Sequence, residues 1–261
     1  MSLLFAERTG RGETISSPAK WFSLALAWLF ITLLFCFCFA SLRYNWNWDG
    51  LWKYRQRFVA GWFMTLAISA SSLALSSLIG LVAALAQRTR FLPLRFLARI
   101  YVELTRGTPL LVQILIFFYV VADAFHVQNR YFVGVCILSF FSGAYLSEII
   151  RAGIEGVGRS QLESASAIGL TTAQTYRYVI FPQALRRILP PLAGQFVSLV
   201  KDSSLLSVIS ISEFTKNAQE VNSFTYSTLE SYLPLAFGYL IITLPISFWT
   251  RWLEGRCHFD T

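Results

Sequence analysis

Two pairs of charged residues stand inside otherwise apolar stretches of the chain: Glu103 and Arg106, three apart, and the adjacent Lys201 and Asp202. A charge near the bilayer centre costs ~2.5–3.5 kcal/mol on insertion scales, so each must face protein or water. Such groups offer electrostatic chemistry, holding a polar solute or an ion in a place where lipid would not. Glu103 and Arg106 can pair on one helical face, either as an ion pair at a helix start or as part of a path. Pro109 follows, a residue that breaks or kinks a helix and frees carbonyls, with Thr108 and Gln113 beside it. Neighbours on a helix point about 100° apart, so Lys201 and Asp202 each need a partner from another helix or subunit; Ser203 and Ser204 follow them. Glu148 and Arg151 have the spacing of a plain salt bridge at a helix end.

Bond-making chemistry has no comparable support. No G-x-x-x-x-G-K-[ST] phosphate loop occurs, and none of the four lysines follows a glycine. ATP hydrolysis by this chain is not expected. The two histidines, His126 and His258, are isolated, so neither a catalytic triad nor a His-based metal site assembles around them. The four cysteines have no metal-ligand spacing. No bound metal or cofactor is expected.

The elements that must position these residues are membrane helices. Of 261 residues 55% are hydrophobic and 14% charged, with mean hydropathy +0.54, where a soluble domain carries about a quarter charged residues. A helix needs ~20 residues to cross the hydrocarbon core. Six runs qualify: about Trp21–Leu42, Gly61–Ala86, Ile100–Ala122, Tyr131–Ile150, Ile188–Ile211 and Tyr232–Trp252. The first is too long for a signal-peptide core and lacks a good cleavage site, so it reads as a retained anchor. The net charge of +8 does not point to nucleic acid, because the basic residues sit at span ends and form no single patch. With the N-terminus cytoplasmic, that side receives Arg88, Arg90, Arg95, Arg99, Arg151, Arg159, Arg177, Arg186 and Arg187 besides both tails. The other side receives Arg43, Lys53, Arg55, Arg57, Arg130 and Lys216, a bias that fits the positive-inside rule; the Lys53, Arg55, Arg57 cluster runs against it. Residues 1–19 read as a poorly ordered polar tail. Ser210–Ser231 reads as an outer loop with a short helix, kept out of lipid by Glu213, Lys216, Glu220 and Glu230. Span-end tryptophans such as Trp21, Trp62 and Trp252 read as interfacial anchors.

Between the fourth and fifth runs lies a polar stretch, Arg159–Pro191, with two helix-start patterns. Ser160 to Glu163 reads S-x-x-E and Thr171 to Gln174 reads T-x-x-Q, each a capping box, and Gly169 stands where the first helix must end. Leu162, Ala165, Ile168 and then Tyr176, Val179, Ile180 give each helix an apolar face. Arg159, Gln161 and Ser164 stay exposed, so the element reads as a rigid amphipathic ligand for a groove.

This stretch resembles the EAA loop of ATP-binding cassette (ABC) importer permeases: the triplet is Glu163-Ser164-Ala165, the glycine Gly169 and the closing pair Leu189-Pro190. Four further segments resemble the polar amino acid uptake branch of that family: Glu103 to Gln113 with Arg106-Gly107-Thr108-Pro109, Gly143 to Glu148, Pro182 to Arg186, and Lys201-Asp202-Ser203-Ser204-Leu205. The likeness covers about 61–254, with Ser164 in place of the usual first alanine and Ser203 where threonine is commoner. It implies an all-α integral membrane protein: a five-helix ABC importer permease core at 61–254, an extra N-terminal helix and loop at 20–60, a cytoplasmic coupling-helix hairpin at 159–191, and a short tail at 255–261. It implies a non-catalytic subunit in a bacterial inner membrane, both termini cytoplasmic, moving polar amino acids. An extracytoplasmic solute-binding protein would deliver the substrate, a second permease subunit would pair with this one, and an ABC ATPase subunit would hold ATP and Mg. Coupling to that ATPase would fall on Arg159, Gln161, Glu163, Ser164, Ala165 and Gly169. The substrate path would draw on Glu103, Arg106, Thr108, Gln113, Lys201, Asp202 and Ser204. The alternative is a gradient-driven carrier, but that class commonly shows paired broken helices and the Glu103–Gln113 pattern has no second copy.

Overall fold

The computed structural model describes residues 7–9, 12–14, 17–41 and 44–257. Of the tail expected to be poorly ordered, Glu7–Thr9 (β1) and Gly12–Thr14 (β2) pair antiparallel with Glu7 opposite Thr14. The rest of residues 1–16, the end of the first run at Leu42 and Arg43, and His258 lie outside the described residues. Everything else regular is helical: α1 (Ser17–Ser41), α2 (Asp49–Gln87), α3 (Leu92–Gly107), α4 (Leu110–Ala122), α5 (Arg130–Glu155), α6 (Arg159–Ala167), α7 (Thr172–Ile209), α8 (Phe214–Thr225) and α9 (Thr228–Cys257). Residues 1–46 and 47–261 form separate compact units.

α1 is apolar all round, and its membrane-spanning window, Trp21–Ser41, has no buried residue. In the second unit, packing is led by α2 against α5. Thr65, Ser69, Ser72, Ser76 and Gly80 recur every three or four residues along α2 and are fully or nearly buried. Small residues let two backbones approach where lipid supplies no hydrophobic drive. A Cβ on Gly80 would lie 2.7 Å from Leu146 Cβ and 3.0 Å from the Gly143 carbonyl. Ser139 on α5 donates to the Val135 carbonyl at 2.6 Å, and Gln87 donates to Ser147 Oγ at 2.7 Å. Ile114, Leu138, Leu199 and Leu206, all 0% exposed, fill the centre between α4, α5 and α7.

Two expectations about the spans change. The helix expected from Gly61 begins at Asp49 and runs 39 residues, so the boundary placed at 60/61 falls inside α2. Its first turns are held by α8: Phe58 packs on Phe214, Ala218 and Val221, and Arg57 pairs with Glu220 at 2.6 Å. The basic cluster at 53–57 is therefore helix wall with a partner for Arg57, not loose loop. The run Ile100–Ala122 is not one straight crossing. It breaks at Thr108-Pro109, where α3 and α4 meet at a bend of 111°, because proline lacks the N–H that would continue the ladder. Among the described residues, five helices are long and apolar enough to span a membrane, six if α3 and α4 count as one broken span.

Candidate functional site

α5 carries its charges at its end. Glu148 lies 18 residues beyond Arg130, about 27 Å along the helix, close to the ~30 Å hydrocarbon thickness. Arg151 grips Glu148 through two bonds, at 3.1 and 2.8 Å, and reaches Glu155 at 2.6 Å, so the expected i,i+3 bridge forms. The expected Glu103–Arg106 pair does not. Arg106 lies 3.4 Å from Glu148 and over the Tyr145 ring, because α3 ends against α5; Glu103 lines the same cavity as these groups. Sequence reasoning took Glu148 for a purely structural partner, and the break at Pro109 is what brings α3 across to it.

The break itself explains Thr108 and Gln113. The Gln113 amide donates to the Thr105 carbonyl at 2.7 Å and to Thr108 Oγ1 at 2.8 Å, while Thr108 Oγ1 donates to the Leu104 carbonyl at 2.8 Å. Both side chains satisfy carbonyl and hydroxyl groups freed around the break, Gln113 from a half-buried position and Thr108 from an exposed one. Ser204 likewise donates to the Lys201 carbonyl at 2.6 Å. Lys201 is exposed and Asp202 half-buried. Neither side chain makes a hydrogen bond or ion pair among the described residues, although both stand within the apolar α7.

The hairpin is built in three locks, one of them not the expected one. α6 starts at Gly158, which has no capping side chain, so Ser160 lies inside the first turn and Glu163 is too far along to reach the N-cap. The S-x-x-E pattern therefore does not act as a capping box. A hydrophobic staple replaces it: Val157, just before the N-cap, shares an apolar cluster with Leu162, together with Ile180 and Ala184. The far end follows the expectation. Gly169 takes φ +77°, Leu170 N–H donates to the Ala165 carbonyl and Gly169 N–H to the Ser166 carbonyl, both at 3.0 Å, which is a Schellman termination. Thr171 and Gln174 form the reciprocal capping box, with Thr171 N–H donating to Gln174 Oε1 at 2.9 Å. Arg187 of α7 donates to the Gly156 carbonyl and ties the hairpin to α5.

This leaves Arg159, Gln161, Glu163, Ser164 and Gly169 exposed. Gln161 accepts from Gln183 at 3.5 Å. Ala165 is 3% exposed, so it seats α6 and presents no surface of its own. Ile168, expected on the buried face, is 76% exposed, because the chain turns at Gly169 before the third position of that face can close on the bundle.

At the other end lies a site the sequence hid. Glu213, expected to hold its loop out of lipid, is fully buried and caps α8: its carboxylate accepts from Lys216 N–H at 2.7 Å, Thr215 N–H at 2.8 Å and Tyr239 Oη at 3.2 Å. Burial pushes its pKa up to about 7, against the backbone donors that pull it down. Glu230, also expected outside, is 1% exposed and accepts from Asn47 N–H. A glutamate at the N-cap lies outside the usual Ser, Thr, Asp, Asn set, which is why it read as an ordinary loop charge.

Broken and continuous spans, a charged cluster at one end and a rigid, exposed hairpin beyond it together define a helical membrane permease. The chain belongs to the family of binding-protein-dependent transport system inner membrane components, whose family model matches residues 76–258, and it is a permease subunit of an ABC importer. It is 36% identical over 210 residues to the glutamine transport system permease protein GlnP of Escherichia coli strain K12, covering 80% of this chain and 96% of that one. It is 39% identical over 198 residues to the L-cystine transport system permease protein TcyB of Bacillus subtilis strain 168, covering 75% and 84%. Its fold is similar to a crystal structure of an amino acid ABC transporter with histidines, at TM-score 0.76 and 36% identity over 82% of this chain and all of that one. The MetNI methionine ABC transporter in an inward-facing form shares the fold at TM-score 0.65 and 15% identity.

Proposed function

We propose that this chain carries polar amino acids across a bacterial inner membrane, driven by a separate ATPase subunit that docks on the hairpin of α6 and the start of α7. The observation that carries the proposal is the hairpin's build: an exposed surface of Arg159, Gln161, Glu163, Ser164 and Ile168 on a helix locked at both ends. A locked helix transmits displacement, where a loose loop would absorb it. Arg187 and the Val157 cluster pass that displacement to α5 and α7, the helices that bear Glu148 and Lys201. ATP and Mg belong to the partner; closure of the ATPase pair biases the permease between two states that it binds differently. Ala165 and Gly169 shape the surface and do not touch the partner.

The path we propose is lined by Glu103, Arg106, Lys201 and Asp202, with Thr108, Gln113 and Ser204 as braces of its backbone. Lys201 is exposed on an apolar helix, and its ammonium makes no hydrogen bond or ion pair among the described residues, which supports a second permease subunit, identical or similar, over that face. The uneven basic residues support cytoplasmic termini and a cytoplasmic hairpin, so the α8 end would receive an extracytoplasmic binding protein. The names of the relatives, glutamine and L-cystine permeases, support a polar amino acid as substrate.

The test is to purify tagged protein from membranes in mild detergent and ask whether an ATPase subunit accompanies it. It should accompany the intact chain and be lost from Glu163→Arg with Ile168→Asp, two surface changes that leave every lock of the hairpin in place. Equal copurification with the double variant would place ATPase docking elsewhere.

A further inference from the structure

The first half of α3, ahead of the path residues Glu103 and Arg106, has no role in the transport cycle proposed above, and it has the build of a membrane-surface helix. Because it turns from α4 by 111°, α3 would lie near the membrane plane with α4 along the normal. Phe96, Leu97, Ile100 and Leu104 are 53–65% exposed on one arc, opposite buried Ala98 and Val102. Along its polar arc Arg95, Arg99 and Arg106 face a cavity of about 540 Å³ closed on the other side by the end of α5. In that cavity Arg106 and Arg151 are engaged by Glu148, and Arg88 stands 3.6 Å from Glu155. The guanidinium groups of Arg95 and Arg99 make no hydrogen bond or ion pair among the described residues, and Arg95 Nε is shut away from solvent without an acceptor. Guanidinium donors in a half-closed cavity are suited to an oxyanion, most of all the phosphate group.

We infer that α3 binds the headgroup of an anionic phospholipid, with Arg95 and Arg99 holding the phosphate and the acyl chains lying along Phe96 and Ile100. Three observations favour a lipid over a soluble anion. The cavity sits at the depth of Glu148, about 27 Å along α5 from Arg130 and so near the edge of the ~30 Å hydrocarbon layer. Glu103, which lines the cavity, lies seven residues from Phe96 and so on almost the same face of α3, which sets the cavity mouth beside the apolar arc. A basic helix with an exposed apolar face is also the usual form of a helix lying in the bilayer surface. That the leaflet is the cytoplasmic one rests on the proposed orientation; binding at Arg95 and Arg99 does not.

The full chain, purified in mild detergent and stripped of lipid, would be titrated by native mass spectrometry with short-chain phosphatidylglycerol, short-chain phosphatidylcholine and glycerol phosphate. Phosphatidylglycerol should bind, and Arg95→Gln with Arg99→Gln should weaken it about thirtyfold, a factor of roughly five for each basic residue at an anionic surface. Arg130→Gln, at the opposite end of α5, should leave binding unchanged and controls for loss of charge alone. Equal phosphatidylglycerol binding by the Arg95/Arg99 variant would overturn the site. Binding of glycerol phosphate as tight as that of phosphatidylglycerol would overturn the lipid and leave a soluble-anion site. Arg90→Cys should resist a membrane-impermeant thiol reagent in intact cells; labelling there would overturn the orientation and leave the site at Arg95 and Arg99 standing.

Discussion

The two ends of the helix bundle use glutamate in opposite ways. At the hairpin end Glu163 is exposed and Glu148 and Glu155 share arginines at a cavity edge; at the α8 end Glu213 and Glu230 are only 0% and 1% exposed, and Glu220 alone stays at the surface, paired with Arg57. Buried acids held by backbone donors fix a structure, because removing one strands every donor it served. Exposed acids on a locked helix cost the fold little to change and are free to meet a partner. The difference separates an end that is set from an end that is offered. It also explains why α8 can hold the first turns of α2 and the Tyr239 region of α9 together while α6 touches the bundle mainly through Leu162 and Ala165.

The strongest way to break this comparison is to truncate one acid at each end. Glu213→Ala strands Lys216 N–H and Thr215 N–H, while the Tyr239 hydroxyl keeps Thr215 Oγ1 at 2.9 Å, and should cost about 3 kcal/mol of stability, at roughly 1–2 kcal/mol per stranded group. Glu163→Ala should change stability by less than about 0.5 kcal/mol while reducing ATP-driven uptake in reconstituted vesicles. Thermal unfolding in detergent reads the first and substrate accumulation the second. Similar stability losses from both would mean that the two ends are not built differently.

The same contrast sharpens with pH. Glu213 is held near pKa 7 by burial, against about 4.3 for a glutamate in an unfolded chain. Its folded pKa lies above the unfolded one, so the folded state binds the proton more tightly and stability falls as pH rises from about 4.5 to 7. Between pH 5 and 8 the loss should be roughly 2.5 kcal/mol, seen as a falling unfolding midpoint. Glu213→Gln, which keeps an acceptor and cannot ionise, should flatten that slope; an unchanged slope would assign it to another group.

Much of this was legible in residue pattern. The long apolar runs located the spans, Gly169 the end of α6, and T-x-x-Q the start of α7, since each signal depends only on neighbours in sequence. What the sequence concealed depends on who arrives from elsewhere. Ser160 and Glu163 fit the capping pattern, yet Val157 and Leu162 find Ile180 and Ala184 and start the helix two residues earlier. Glu103 and Arg106 have pairing distance on a helix, but α5 brings Glu148 to Arg106. Glu213 resembles a loop charge until Thr65, Tyr239 and the α8 backbone enclose it. In the candidate site, residue types were readable while the pairings were not.

A smaller test addresses the broken span. Gln113 ties both sides of the Pro109 break through the Thr105 carbonyl and Thr108 Oγ1. Gln113→Ala should cost about 1–2 kcal/mol and loosen the angle between α3 and α4, measurable as a broadened spin-label distance between positions 97 and 119. Gln113→Glu cannot donate to the carbonyl and should be no better.

The finest distinction lies within the hairpin, where two similar sequence patterns have different structural fates. Thr171 and Gln174 exchange hydrogen bonds at the start of α7, so Thr171→Ala should cost about 1 kcal/mol, the usual price of an N-cap. Ser160 lies in the first turn of α6 behind an N-cap glycine, so Ser160→Ala should be neutral or slightly stabilising, alanine being the better helix former. Hydrogen exchange at the Gln174 and Gln161 amides reads each helix start separately. Faster exchange at Gln174 in the first variant, with no change at Gln161 in the second, would show that α6 is started by the Val157–Leu162 staple. Equal acceleration in both would restore the serine as a cap and make the staple incidental.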